Sequence, residues 1–251
     1  MLKCDLIHGD CLYLLPMLAD ASIGLVAADL PYACTRAAWD SLLPLGYLFE
    51  QYWRVLEPDG AVVLTADMRF ASLLLAAAPR EFRFDIAWDK VNRHSGFLSS
   101  RRRPLKCHES VLVFSRGVYP YTPDVIAHSR RKRRRGGGKA SPLYNNTVAI
   151  GSANEAPAER SVWRIGYEKS DAGKHNTQKP VALFRRIIRT FSRPGATVLD
   201  NTMGSGTTAV AAMAEGRGFV GMENDPEFYA VAEDRLQLRQ GLFAGLTHAH
   251  P

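Results

Sequence analysis

Two rhythms of apolar residues run along this chain. Short segments that are apolar at nearly every position, "IGLVAADLPY" at 23–32, "AVVLTAD" at 61–67, "TVLD" at 197–200 and "GFVGME" at 218–223, have the length of strands buried on both faces. "CDLIHGD" at 4–10 is a further strand ending at Asp10, and "FRFDIAWDKV" and "ESVLVFSR" are strands flanking the polar stretch 92–108. Longer segments at helical spacing lie between them: a short helix at 11–20 interrupted by Pro16, then "LGYLFEQYWRVL" from Leu45 to Leu56, closed by a Pro-Asp-Gly turn. "RFASLLLAAAP", "PVALFRRIIRTF", "TTAVAAMAEG" and "PEFYAVAEDRLQLR" complete the set, and the residues after Arg239 read as a frayed tail, 240–251. Strands alternate with helices, so the fold class is α/β with a wound, mainly parallel sheet. Residues 115–174 break the alternation. They are rich in Gly, Ser, Asn and Pro with little periodicity, and read as an inserted region.

Charge sharpens the picture of that insertion. The chain of 251 residues has a formal net charge of +7, and much of it sits in "RRKRRRGGGK" at 130–139, with Arg101, Arg102 and Arg103 as a second cluster. Like charges beside three glycines repel and form a solvated loop, and such a loop is also what a polyanion orders, because each phosphate neutralised releases counterions. Arg130, Arg131, Lys132, Arg133, Arg134 and Arg135 are therefore candidate nucleic-acid contacts. No amphipathic apolar face accompanies them, which argues against a membrane partner. Four scattered cysteines, no signal-like N-terminal segment and no long apolar run lead us to expect a soluble, cytoplasmic protein of a reducing compartment. His8, His108 and His175 lack metal-ligand spacing, so no metal is assigned.

Two strand ends carry candidate chemistry. "VLDNTMGSGTTAV" places Gly204-x-Gly206-x-x-Ala209 between a strand and a helix, and Glu223 ends the next strand, nineteen residues beyond Gly204. Glycines there let the backbone turn tightly and approach a ligand, and the acid can accept hydrogen bonds from ribose hydroxyls, a pattern for an adenosine-containing cofactor. The other strand end is "DLPY", where Asp29 and Tyr32 meet at Pro31 on the edge of the sheet where open α/β folds bind ligands. Only 42 residues follow Ala209, so the rest of the sheet comes from upstream, unlike a nicotinamide dehydrogenase.

The glycine loop, the Asp-x-Pro-Tyr strand end and the basic insertion together resemble the amino-group DNA methyltransferases, in their permuted beta class. Supporting segments stand in the family's order: "HGDCLYLLPML", "WDK" at 88–90, "CHESVLVFSR" at 107–116 and "HNTQKPVALFRRII" at 175–188. The resemblance implies a circularly permuted, Rossmann-like methyltransferase fold. Residues 1–114 would be its catalytic half, 115–174 an inserted target-recognition region and 175–239 the cofactor-binding half. It implies S-adenosylmethionine as cofactor, double-stranded DNA as partner, a homodimer as assembly, and methylation of a flipped base. N6 of adenine is favoured, because Asp at position 29 leans that way in the family; N4 of cytosine, RNA, or an inactive binding module are the alternatives.

By the same resemblance Asp29, Leu30, Pro31 and Tyr32 are catalytic, the first two as acceptors for the target amine and Tyr32 as a stacking surface. Asp10 would meet the adenine edge, Asp200, Gly204 and Gly206 the wall around methionine and ribose, and Glu223 the ribose hydroxyls. Thr177 and Lys179 would lie near the methionine end. Trp39 and Trp88 are read either as shaping the base pocket or as core residues. Leu30 stands where the family has its first proline and Met203 where it often has phenylalanine; the main-chain carbonyl at position 30 survives the first change.

Overall fold

A computed structural model of the chain describes residues 3–34, 40–123, 159–167 and 178–246, excepting the side chains of 99 and 238–246. One compact unit comprises Met1–Thr122 with Ser161–Pro251, and Pro123–Arg160 form a second, of which only residues 123, 159 and 160 are described. The basic run Arg130–Arg135, Trp39, His175 and Thr177 lie outside the described residues.

The first unit is a wound sheet of eight strands: β1 (Cys4–His8), β2 (Ile23–Ala28), β3 (Leu56–Ala66), β4 (Phe82–Asp89), β5 (His108–Phe114), β6 (Val162–Arg164), β7 (Thr197–Asp200) and β8 (Gly218–Glu223). Their order across the sheet is β1-β8-β7-β2-β3-β5-β4-β6. All neighbours pair in parallel except the two ladders of β5, which runs against β3 and β4. The helices are α1 (Cys11–Leu14), α2 (Leu45–Val55), α3 (Met68–Ala77), α4 (Val181–Phe191), α5 (Thr207–Ala214) and α6 (Pro226–Leu246). This is the Rossmann-like α/β architecture expected.

Strand β2 is the centre of the arrangement, and all six of its residues are buried. Leu25 and Ala27 join a core on one face that includes Leu183, Ile187 and Val210 of α4 and α5. Val26 and Ala28 join the core on the other face, with Leu48 and Tyr52 of α2 and Phe70 of α3. Each large aliphatic side chain so buried contributes roughly 1.5–3 kcal/mol. This double burial is why the segment is apolar without alternation.

At the carboxyl ends of β2 and β7 the chain departs in opposite directions, from β2 through α2 to β3 and from β7 through α5 to β8. Such a reversal leaves a crevice between the two strand ends. The loop after β7 is fixed from beneath by Asp200, which accepts from Thr202 N at 3.1 Å and Thr208 Oγ1 at 2.6 Å. Gly206 caps α5 with a positive φ of 75°, and a Cβ there would come within 3.0 Å of Ala232 Cβ on α6. A side chain at this position would therefore press α5 away from α6.

Three elements depart from the sequence pattern. The Pro58-Asp59-Gly60 turn is absorbed into β3: Ile23 pairs Leu56 and Leu25 pairs Ala61, so the intervening residues of β3 bulge out of the ladder. Strand β6 lies within the stretch 115–174 and extends the sheet beside β4; its three residues are too few to show a period. Helix α6 continues to Leu246 instead of ending near Arg239.

Gly206→Ala should destabilise the protein by about 1–3 kcal/mol, because a side chain is strained at positive φ and meets α6; denaturant melts of the two proteins measure this. Burial pushes the Asp200 carboxyl up to about 7, despite its two hydrogen bonds. Between about pH 4 and 7 the folded state then holds a proton the unfolded state has released, so this group makes stability fall as pH rises through that window, by at most about 4 kcal/mol. Asp200→Asn, neutral throughout, should flatten that part of the curve in urea midpoints taken at pH 5 and pH 8. An equal fall in both proteins would exonerate Asp200.

Candidate active site

The carboxyl ends of four adjacent strands open onto one cavity of about 820 Å³. Across it, in sheet order, stand Asp10 after β1, Glu223 at the end of β8, Asp200 at the end of β7 and Asp29 after β2. Neighbouring strands lie about 4.8 Å apart, so four carboxylates are spread over one edge, each in its own surroundings.

On the β8 side the carboxylate is organised by backbone. Glu223 Oε2 accepts from Gly204 N and Oε1 from Asp225 N, both at 2.8 Å. One donor on each oxygen leaves acceptor capacity on both. Gly204 has φ 52°, and a Cβ on it would meet nothing within 4 Å, so its side faces the open cleft. Asp10 caps α1, accepting from Leu12 N at 2.9 Å, and also borders the cavity. Hydroxyl donors such as those of a ribose fit this acceptor set, and the bare glycine backbone leaves room for a flat or bulky group beside it.

On the β2 side the surroundings are charged. Lys179 Nζ lies 2.8 Å from both oxygens of Asp29. Tyr32 OH donates to Asp29 Oδ1 at 2.9 Å, and Thr65 Oγ1 from β3 donates to the same atom. Glu109 of β5 stands behind, with Oε1 2.6 Å from Lys90 Nζ and Oε2 3.4 Å from Lys179 Nζ. Two carboxylates thus face two ammonium groups, and the Lys179 side chain is only 9% exposed. Burial alone would lower the Lys179 ammonium, but Asp29, Tyr32 and Glu109 outweigh it and hold the group well above the usual lysine range. Burial would raise Glu109, and Lys179 and Lys90 together keep it below its ordinary value instead. Burial, reinforced by Asp29, pushes the Tyr32 phenol well up.

The backbone after "DLPY" is held as firmly. Ala33 adopts a left-handed φ of 53°, and the buried Asp40 carboxylate accepts from Ala33 N at 2.7 Å and Cys34 N at 2.9 Å. Thr202 Oγ1, from the glycine loop, donates to the Asp29 carbonyl at 3.3 Å. One face of Tyr32 stacks on Phe70 at 5.0 Å.

Asp10, Asp29, Leu30, Pro31, Tyr32, Lys179, Asp200, Gly204 and Glu223 thus gather at one cavity, and Gly206 does not. The sequence named no partner for Lys179; the structure gives it the carboxylate of Asp29. Trp88 is fully buried, with Nε1 donating to Ile165 O, and belongs to the core. Glu109, Lys90, Thr65 and Asp40 were not singled out by sequence. The signal for the first three was available: each is a polar residue at the end of a strong apolar strand, on the edge where Asp29 emerges.

Comparison with known proteins agrees with this geometry. The DNA methylase family of N6/N4 methyltransferases matches residues 24–234. The chain is similar to the type II methyltransferase M1.MboII of Moraxella bovis, 30% identical over 91% of this chain and 95% of the relative. It is also similar to the DNA adenine methyltransferase YhdJ of Escherichia coli (strain K12), 29% identical over 93% of this chain and 82% of the relative. Among solved structures, that of the M1.HpyAVI–SAM complex aligns with a TM-score of 0.66 at 22% identity, covering 94% of this chain and 99% of that one. With the family model spanning both the Asp29 strand and the glycine loop, this chain belongs to the N6/N4 DNA methylase family.

Proposed function

We propose that the protein transfers a methyl group from S-adenosylmethionine to the exocyclic amine of a flipped base in duplex DNA, with N6 of adenine favoured over N4 of cytosine. The observation that carries this reading is the fixed Asp29 carboxylate on the same cavity as the Glu223 and Gly204 acceptor-and-backbone set. A named relative that acts as a DNA adenine methyltransferase supports adenine.

When bound, S-adenosylmethionine supplies an electrophilic methyl on a sulfonium and is left as a neutral thioether. Glu223 accepts from the ribose hydroxyls, with its carboxylate already aligned by Gly204 N and Asp225 N. At the other end Asp29 and the Leu30 carbonyl each accept one N–H of the target amine. This turns the nitrogen lone pair out of conjugation with the ring, so geometry supplies much of the rate. As the new C–N bond forms, positive charge builds on nitrogen, and the preorganised Asp29 carboxylate stabilises that state more than the neutral base. The surplus proton then passes to Asp29 or through it to water.

A base inside a duplex cannot reach this cavity, so it is extruded, and the face of Tyr32 away from Phe70 replaces part of the lost stacking. The basic run Arg130–Arg135 neutralises phosphates on the same DNA. A homodimer working in the cytoplasm completes the reading; among the described residues no helix is long and apolar enough to cross a membrane.

Asp29→Ala should lose methyl transfer by roughly two to four orders of magnitude, because its contact matters most in the transition state. Affinity for cofactor and DNA should stay close to wild type. Single-turnover methylation beside equilibrium titrations measures both, and a near-normal rate would remove Asp29 from the chemistry. Glu223→Ala should instead weaken cofactor binding in calorimetry, with a cooperative melt lowered by only the few degrees that two lost backbone hydrogen bonds account for. Modification-sensitive sequencing of DNA from cells making the protein decides between adenine and cytosine.

A further inference from the structure

The acceptor count at Asp29 is unequal. Oδ1 is approached by Thr65 Oγ1, by Tyr32 OH at 2.9 Å and by Lys179 Nζ at 2.8 Å, which exceeds its two lone-pair directions. Oδ2 has, among the described residues, Lys179 Nζ as its partner. If Asp29 accepts the target amine, as the reading above holds and as this inference requires, Oδ2 is the atom left to do so. The buried ammonium of Lys179 lies on that atom.

A second carboxylate is already in range. Lys179 Nζ is 3.4 Å from Glu109 Oε2, and Glu109 is anchored through its other oxygen by Lys90 at 2.6 Å. Moving the ammonium from Asp29 to Glu109 is thus a short displacement that never leaves a buried positive charge without a carboxylate, a state that would be strongly unfavourable. Remaining on Asp29 is unfavourable too: a fixed cation on the carboxylate opposes the positive charge that grows on the reacting nitrogen.

We propose that Lys179 holds the place of the target amine on Asp29 Oδ2, and that the incoming base displaces its ammonium onto Glu109 Oε2, making Glu109 a positioning residue for the methyl-transfer step. Before the base arrives the ammonium, 2.8 Å from both oxygens, holds the Asp29 carboxylate aligned. Once the base is in place, Glu109 takes the cation away from the reacting nitrogen.

The test compares wild type, Glu109→Gln, Lys179→Met, the double variant and Asp29→Ala, on unmethylated duplex DNA with labelled S-adenosylmethionine. Melting temperature, cofactor affinity and DNA affinity are measured on each. Glu109→Gln removes the receiving charge, so Lys179 stays on Asp29 and kcat should fall about tenfold or more, with cofactor and DNA affinities within about twofold of wild type. Adding Lys179→Met removes the trapped cation, and the double variant should be about tenfold faster than Glu109→Gln alone. A merely structural role for either residue predicts the opposite, a further loss. A double variant no faster than Glu109→Gln overturns the exchange. Should Glu109→Gln not fold, Lys179→Met alone decides: its KM for DNA should be unchanged or lower, and its cofactor affinity unchanged. A KM raised more than about threefold, or weakened cofactor binding, overturns the proposal. Asp29→Ala separates the two levels: if it stays active the function reading fails and takes this inference with it, whereas an inactive Asp29→Ala with an unrescued double variant refutes the exchange alone.

Discussion

A carboxylate at the end of a strand buried on both faces must be matched by positive charge, and the rest of this site is arranged around that requirement. Taking an ion out of water costs several kcal/mol even after the protein relaxes. Here the compensation for Asp29 comes from Lys179, 150 residues away in sequence, and the compensation for Glu109 comes from both Lys179 and Lys90. The cluster is neutral as a whole, which is the condition under which four ionised groups can share a poorly solvated pocket. It closes only when β2, β4, β5 and the segment before α4 are all in place, so the chemistry is present only in the assembled fold.

The two ends of the cavity solve different problems with different materials. At Glu223 the aligning groups are backbone N–H donors, which cannot be lost by side-chain rotation and which leave acceptor capacity toward the cleft. At Asp29 they are side chains, two hydroxyls and an ammonium, which can rearrange. A rigid end suits a group held unchanged through the reaction, and an adaptable end suits a base that must enter, react and leave. The glycine loop joins the two, since Thr202 reaches the Asp29 carbonyl while Gly204 reaches Glu223.

What could be read in the sequence follows from what is local. The apolar runs of β2, β3, β7 and β8 and the helices between them were legible because burial writes itself into every residue of such segments. Asp29, Asp200, Gly204 and Glu223 were legible because strand ends and glycine loops occupy fixed places relative to those runs. Strand β6, three residues with a single buried Trp163, carries no period to detect. The bond from Lys179 to Asp29 was invisible for a different reason: no local pattern records a partner in another half of the chain. The order of supporting segments identified the family correctly, and it drew Lys179 to the cavity without disclosing its carboxylate partner. Asp40 was missed because its task, holding a strained turn at Ala33, depends on a backbone angle that the sequence does not display.

The adjacency of β2 and β7 also has a temporal side. These strands pair Leu25 with Val198 at the heart of the sheet, so one edge of β2 has no partner until β7 has been made, more than 170 residues later. At ribosomal rates of about 5–20 residues per second, that edge waits on the order of ten to thirty seconds. A fully apolar strand with an open edge is a template for pairing with other chains. The same unbroken apolar run that makes β2 a firm support for Asp29 therefore makes its open edge a hazard during synthesis, one that lasts until β7 arrives to cover it.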